Sequence, residues 1–164
     1  IKFFTNLYIY IYIYIMNSFK NQLNLFFVMF LVAIFFNPMN ILAYQFNHLY
    51  LSYTLIYSSL FMASNMIWSH QIVHYLNHNI FDKKIFCIGI FMSLFIAFVL
   101  LRNQFIVNPE QWLKRMIPHH STALTTTNKL INSGQIKKET QLYRLAKDII
   151  FNQEREILLM KSYL

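Results

Sequence analysis

Three long apolar runs occupy the first two thirds of the chain. The first extends from Leu25 to Tyr44 and contains Pro38, the second extends from Leu49 to about Tyr75, and the third extends from Ile85 to about Leu101. A helix that crosses a bilayer needs about 20 predominantly apolar residues. Because proline interrupts the helical hydrogen-bond ladder, we expect a kink or a break in the first run at Pro38. The pattern predicts three transmembrane helices within residues 16–104.

The apolar positions change to helical spacing in the last sixty residues. Asn108 and Pro109 are typical of a helix start, where Gln111 can complete a capping box, and Gly134 is typical of a helix end. Pro118 predicts a kink inside this helix, which would aim the His119 and His120 rings at one point. A second amphipathic stretch extends from about Lys138 to Tyr163. We therefore expect residues 105–164 to form a soluble hairpin of two long helices, so the predicted fold class is all-α.

The first fifteen residues have a different pattern. Residues 8–15 alternate tyrosine and isoleucine, as an AT dinucleotide repeat would encode, and Met16 resembles a natural start. We interpret residues 1–15 as an upstream extension. The alternative, an arm that lies at the membrane interface, stays open.

Composition agrees with a membrane protein. The chain is 57% hydrophobic and 12% charged, whereas a soluble domain carries about 25% charged residues. These values exclude an ordinary soluble enzyme and an intrinsically disordered chain. Two glycines and three prolines leave few turn signals for an all-β fold.

The net charge of +8 indicates membrane topology rather than a nucleic-acid partner, because basic residues flank the apolar runs. Lys20 precedes the first run, and Lys83 and Lys84 separate the second from the third. The positive-inside rule places these lysines inside. We expect a multi-pass protein of the inner (cell) membrane whose C-terminal hairpin is periplasmic or otherwise extracytoplasmic.

Polar and thioether side chains interrupt the apolar stripes of the predicted hairpin. Pairing or metal binding would offset the cost of burying such polar groups. Thioether with imidazole suits copper, and Cu(I) especially. The alternative is a hydrogen-bonded patch that only fixes helix packing. The positions on the two helices are Met116, His119, His120, Gln153, Glu156 and Met160.

The hairpin also carries a specific motif. The run Met116-Ile117-Pro118-His119-His120, followed by Gln153-x-x-Glu156-Ile157-x-x-Met160, resembles the domain-of-unknown-function family numbered 305. The upstream runs are similar to the membrane-anchored branch of that family. The resemblance implies a ferritin-like hairpin linked to copper, with Met116, His119, His120 and Met160 as metal ligands. Gln153 and Glu156 would then orient the imidazoles. Leu113 and Thr126 depart from the family, since methionine is common at these positions, and fewer thioethers mean fewer or weaker copper sites.

A second stripe lies in the second apolar run. Its members are four residues apart, so they share one oblique face of a helix. Such a stripe can relay a soft metal or a proton inside a membrane. Alternatively, its histidines lie at the membrane interface or bond a neighbouring helix. The members are Met62, Met66, His70, His74 and His78.

The sequence contains none of the usual catalytic signatures, neither a glycine-rich phosphate loop nor a nucleophile elbow. We therefore expect no enzyme. The predicted function is a membrane-anchored copper-binding protein that sequesters or hands over copper outside the inner membrane. The alternative is a structural or interaction protein without metal. Because two helices rarely form a stable core alone, we expect a homodimer or higher oligomer through the hairpin.

Overall fold

A computed structural model describes the backbone of residues 2–164 and the side chains of residues 19–164. This part of the chain consists of helices and connecting turns, without a β-strand, which confirms the all-α fold class. The interpretation of residues 1–15 as an upstream extension lies outside the residues whose side chains are described.

Six α-helices follow one another along residues 2–164, the part of the chain whose backbone is described. A short 3₁₀ turn at Phe46–His48 lies between the second and third helices, and the fourth continues as a π-helical segment at Ile96–Arg102. The helices are α1 (Lys2–Phe35), α2 (Pro38–Ile41), α3 (Tyr53–His78), α4 (Lys83–Phe95), α5 (Pro109–Asn132) and α6 (Gln141–Lys161).

Two segments in the described part of the chain are long and apolar enough to cross a membrane. They are Phe19–Ile41 and Lys83–Arg102. The first contains the predicted break, where the Asn37 side chain accepts a hydrogen bond from the backbone N–H of Asn40 and so begins α2. The remaining predicted span, α3, has 26 residues, but serine, asparagine, glutamine and histidine lower its apolar content.

The chain divides into two compact units. One, the helical unit, contains the described residues up to Ile34 together with Tyr57–Asn103. The other, the hairpin unit, contains Phe35–Ile56 and Gln104–Leu164. The segment of residues 35–56 therefore groups with the chain from Gln104 onward, although we expected it to belong to the membrane region.

In the helical unit, α3 packs by its polar and small side chains. Ser59, Ser64 and Gln71 of α3 are buried. Gly89 of α4 lies so close to α3 that a Cβ atom there would be 3.0 Å from the backbone N of Trp68. The helices therefore approach closely where polar groups would otherwise be exposed to an apolar environment.

In the hairpin unit, α5 and α6 enclose a small apolar core. Its buried members are Leu113, Ile117, Leu124, Ile157 and Met160. They recur at helical spacing on each helix.

The ends of the hairpin helices are set by local residues. Asn108 caps α5 by accepting a hydrogen bond from the backbone N–H of Gln111. Gly134 has φ +69°, the left-handed conformation that ends α5. Thr140 caps α6 through the backbone N–H of Tyr143, so α6 begins three residues after the predicted position at Lys138.

Candidate functional site

A cleft of about 260 Å³ opens between α5 and α6. Three of its lining side chains carry an atom that can bind a metal ion, namely an imidazole, a carboxylate and a thioether. The lining residues are Trp112, Leu113, His120, Glu156, Leu159, Met160 and Tyr163.

His120 and Glu156 meet across the hairpin. The His120 Nδ1 lies 3.0 Å from the Glu156 Oε2. The two groups are not aligned as a hydrogen bond, and the buried Nδ1 has no hydrogen-bond partner among the described residues. A ring nitrogen without a partner is costly to bury, so this position favours an additional cation or proton donor.

The charge state of His120 is set mainly by burial. Desolvation lowers the pKa of His120, the Glu156 carboxylate raises it in part, and His119 lowers it further. The net direction is downward, so the imidazole is neutral at pH 7. Neutral imidazole is the form that binds metal ions.

Two donor atoms that share a tetrahedral metal ion at about 2.1 Å lie about 3.4 Å apart. The His120 and Glu156 atoms are 3.0 Å apart, so they would have to separate by about 0.4 Å to bind the same ion. Residues 19–164 bring together no group of three or more histidine, cysteine, aspartate and glutamate side chains that could hold a metal. A third protein ligand in this cleft would therefore be the thioether of Met160.

The other predicted site residues lie outside this cleft. Met116 is partly buried and packs against the apolar core. His119 is exposed, with its ring centroid 5.9 Å from that of His120. Gln153 is half-buried on α6. Pro118 leaves α5 uninterrupted, so the structure does not aim both histidine rings at one point, as we expected from a kink at this proline.

Sequence reasoning missed a contact between the hairpin and the segment of residues 35–56. The backbone N–H of Tyr44 donates to the Ser121 Oγ at 2.7 Å. The Ser121 hydroxyl and the His48 Nδ1 are 2.9 Å apart, and both side chains are buried. The spacing of Ile117, Ser121 and Leu124 (i, i+4, i+7) is the signal that places this serine on the core face.

A second contact ties the same segment to the start of α5. The Gln111 side chain accepts a hydrogen bond from the backbone N–H of Tyr53 at 3.0 Å. The Thr54 hydroxyl donates to the Gln104 Oε1 at 2.9 Å. From the sequence, we expected Gln111 to complete a capping box within its own helix. Its amide instead fixes the beginning of α3 beside α5.

The histidine stripe predicted in the second apolar run forms a ladder on α3. The ring centroids of His70 and His74 are 6.1 Å apart, and those of His74 and His78 are 5.0 Å apart. Met62 of the same stripe is 54% exposed, and Met66 is half-buried. The structure therefore keeps the imidazoles on one face.

Comparison with known proteins supports the resemblance of the hairpin to the domain-of-unknown-function family numbered 305. Residues 107–164 match the family described as "Domain of unknown function (DUF305)". A curated relative, "Uncharacterized protein L153" of Acanthamoeba polyphaga mimivirus, is 39% identical over 64 residues. That match covers 39% of this chain and 40% of the viral protein, so the two are similar over less than half of their lengths. No solved structure matches the chain.

Proposed function

We propose that the protein is a membrane-anchored copper-binding protein that sequesters or hands over copper at the hairpin. The observation that carries the proposal is the buried His120 Nδ1, which faces Glu156 without a hydrogen bond in a cleft that Met160 also lines. Residues 107–164 match a domain family of unknown function, and the copper link implied by the motif's resemblance to that family is part of this proposal.

The donor set favours copper over harder cations. Imidazole and thioether are the ligands that Cu(I) prefers among protein side chains, and a single carboxylate is too few for calcium or magnesium. The proposal places the metal on His120 and Met160, with Glu156 as a ligand or as the group that orients the imidazole. Met116, His119 and Gln153 would support these residues from outside the cleft.

A titration of the full chain in detergent micelles with Cu(I), against a chromophoric competitor, tests this site. We expect His120→Ala to weaken binding about 100-fold or more, and Met160→Leu or Glu156→Gln to weaken it about tenfold. His119→Ala is the matched control, because this neighbouring imidazole is exposed; we expect a change of less than about threefold.

The same titration separates the metal from the alternative. Unchanged Cu(I) affinity in the His120→Ala variant would overturn the metal site. A loss of helical stability in that variant without a change in affinity would favour a polar patch that only fixes helix packing.

The contacts of the hairpin unit support a third membrane span. Tyr44 and His48 bond Ser121, so these parts of the chain lie on one side of any membrane. The chain between His48 and Ser121 must then cross the membrane an even number of times. If α4 crosses the membrane, a second helix must cross it back, and α3 is the only other described helix between these two residues that is long enough.

Packing in the helical unit agrees with this role for α3. Its polar side chains Ser59, Ser64 and Gln71 are buried within the unit, so a membrane-spanning α3 would not expose them to lipid. We therefore propose three transmembrane helices, with Lys20, Lys83 and Lys84 inside. The hairpin would lie on the outer face of the inner (cell) membrane.

Unpaired apolar side chains on α6 support self-association. Leu142, Leu145, Phe151 and Leu158 are each more than half exposed. We propose that the hairpin pairs with a second copy, which would bury Leu142 and Leu145 in a four-helix, ferritin-like bundle. Phe151 and Leu158 lie on the opposite side of α6.

A further inference from the structure

The imidazole ladder of α3 lies in the helical unit and has no part in the hairpin cleft. Its histidines are four residues apart, and the closest pair of rings is His74 and His78, with centroids 5.0 Å apart. Two histidines at i and i+4 on one helix face can bind the same metal ion.

The hydrogen bond of His74 fixes its tautomer. The His74 Nδ1 lies 3.1 Å from the backbone carbonyl oxygen of Ile80. A carbonyl oxygen only accepts, so Nδ1 carries the proton and donates it. The lone pair is therefore on Nε2. Metal-binding histidines are commonly held in this way, with one ring nitrogen bonded to a carbonyl and the other free for the ion.

The distance between the two rings suits a shared ion. When two imidazole nitrogens each lie about 2.0–2.1 Å from a metal at a near-tetrahedral angle, their ring centroids are about 5 Å apart. The pair His74 and His78 meets this distance. The pair His70 and His74 is wider, at 6.1 Å, and the His70 Nδ1 is 2.9 Å from the side-chain amide of Gln22 on α1.

We propose that His74 and His78 form a two-imidazole site for a divalent transition-metal cation. Imidazole suits copper, zinc and nickel ions, whereas calcium and magnesium require oxygen ligands. The site lies at the end of α3 that leads to Lys83 and Lys84. It is independent of the hairpin cleft, and the three-span topology would place the two sites on opposite faces of the membrane.

Cu²⁺ binding to the full chain in detergent micelles tests this site. The experiment uses a His120→Ala background, which removes the principal ligand proposed in the hairpin. We expect one equivalent of Cu²⁺ whose electron paramagnetic resonance spectrum shows two nitrogen ligands. His74→Ala and His78→Ala should each weaken binding about tenfold or more. His70→Ala is the matched control on the same stripe and should change affinity less than about twofold.

A rescue variant distinguishes a ligand from a residue needed for folding. Adding Asn77→His to His78→Ala places an imidazole at i+3 from His74, which is still on the same face. It should restore two-nitrogen binding, whereas adding Leu76→His, at i+2, should not. Equal loss in His70→Ala, unchanged binding in His74→Ala and His78→Ala, failure of Asn77→His to restore binding, or restoration by Leu76→His would overturn the proposal.

Discussion

At the scale of single residues, the structure places the neighbouring histidines His119 and His120 in different environments, although the motif predicts both as metal ligands. Successive residues on a helix point about 100° apart, so His119 and His120 cannot both face one cleft. His120 enters the cleft, while His119 is exposed. Glu156 and Met160 share a face at i and i+4 and line the same cleft. Helical periodicity alone therefore does not predict which of the two histidines enters the cleft, nor does it predict the unpartnered ring nitrogen.

The buried imidazole of His48 is a second residue-scale feature. Burial lowers its pKa below the usual 6.5, and the positive charge of Lys161 lowers it further. The Ser121 hydroxyl donates to Nδ1 or accepts from it, depending on the tautomer. Stability of the contact between residues 35–56 and α5 depends on a neutral His48 because burial and Lys161 both disfavour the imidazolium.

This dependence predicts loss of stability in acid. In the window between pH 6.5 and the lower folded pKa, the unfolded chain binds more protons than the folded chain. Stability should therefore be full above pH 6.5 and decline as the pH falls below it. The His48 Cε1–H resonance should titrate with a midpoint below 6.5 in NMR spectra. Lys161→Met should raise that midpoint part of the way, and a midpoint at or above 6.5 in the parent protein would contradict the assignment.

At the scale of elements, local residue chemistry predicts the hairpin helices well. The cap at Asn108 and the left-handed Gly134 follow from residue type. The start of α6 does not, because the charged residues before Thr140 fit a helix equally well, and only the side-chain bond to Tyr143 fixes the boundary. The apolar stripe of α6 is also only partly buried, since Leu142 and Leu145 are each 55% exposed.

The turn between α5 and α6 gives a test at this scale. Gly134→Ala should destabilise the hairpin by about 1 kcal/mol, because a side chain disfavours the positive φ of 69°. No atom lies within 4 Å of the position of the added Cβ, so a steric clash would not contribute. Urea unfolding followed by circular dichroism measures the change. Ser133→Ala is the neighbouring control at a right-handed position, and equal destabilisation by both substitutions would contradict the conformational explanation.

At the scale of the whole chain, long-range contacts are the part that the sequence does not predict. The segment of residues 35–56 contains the end of the first apolar run and the beginning of the second, and nothing in its pattern predicts that it packs against the hairpin. Its contacts with Ser121 and Gln111 join residues that are 58 to 77 positions apart, and no local pattern encodes such pairings. The apolar runs themselves predict the spans Phe19–Ile41 and Lys83–Arg102. The apolar runs do not decide whether α3 crosses the membrane, because its polar side chains are buried only once the chain has folded.

Membrane topology tests the proposed arrangement of the whole chain. The two segments of the hairpin unit, Phe35–Ile56 and Gln104–Leu164, must lie on the same face of the membrane. Cys87 is the single cysteine, so Cys87→Ser gives a background for single-cysteine labelling in intact cells or sealed vesicles. Phe46→Cys, at a side chain that is 93% exposed, and Ser162→Cys should react with an impermeant maleimide from the same side. Ile80→Cys, in the turn between α3 and α4, should react only after the membrane is opened, because one crossing separates it from that face, α3 on one side and α4 on the other. Labelling of residues 46 and 162 from opposite faces would contradict both the third span and the contact between residues 35–56 and α5.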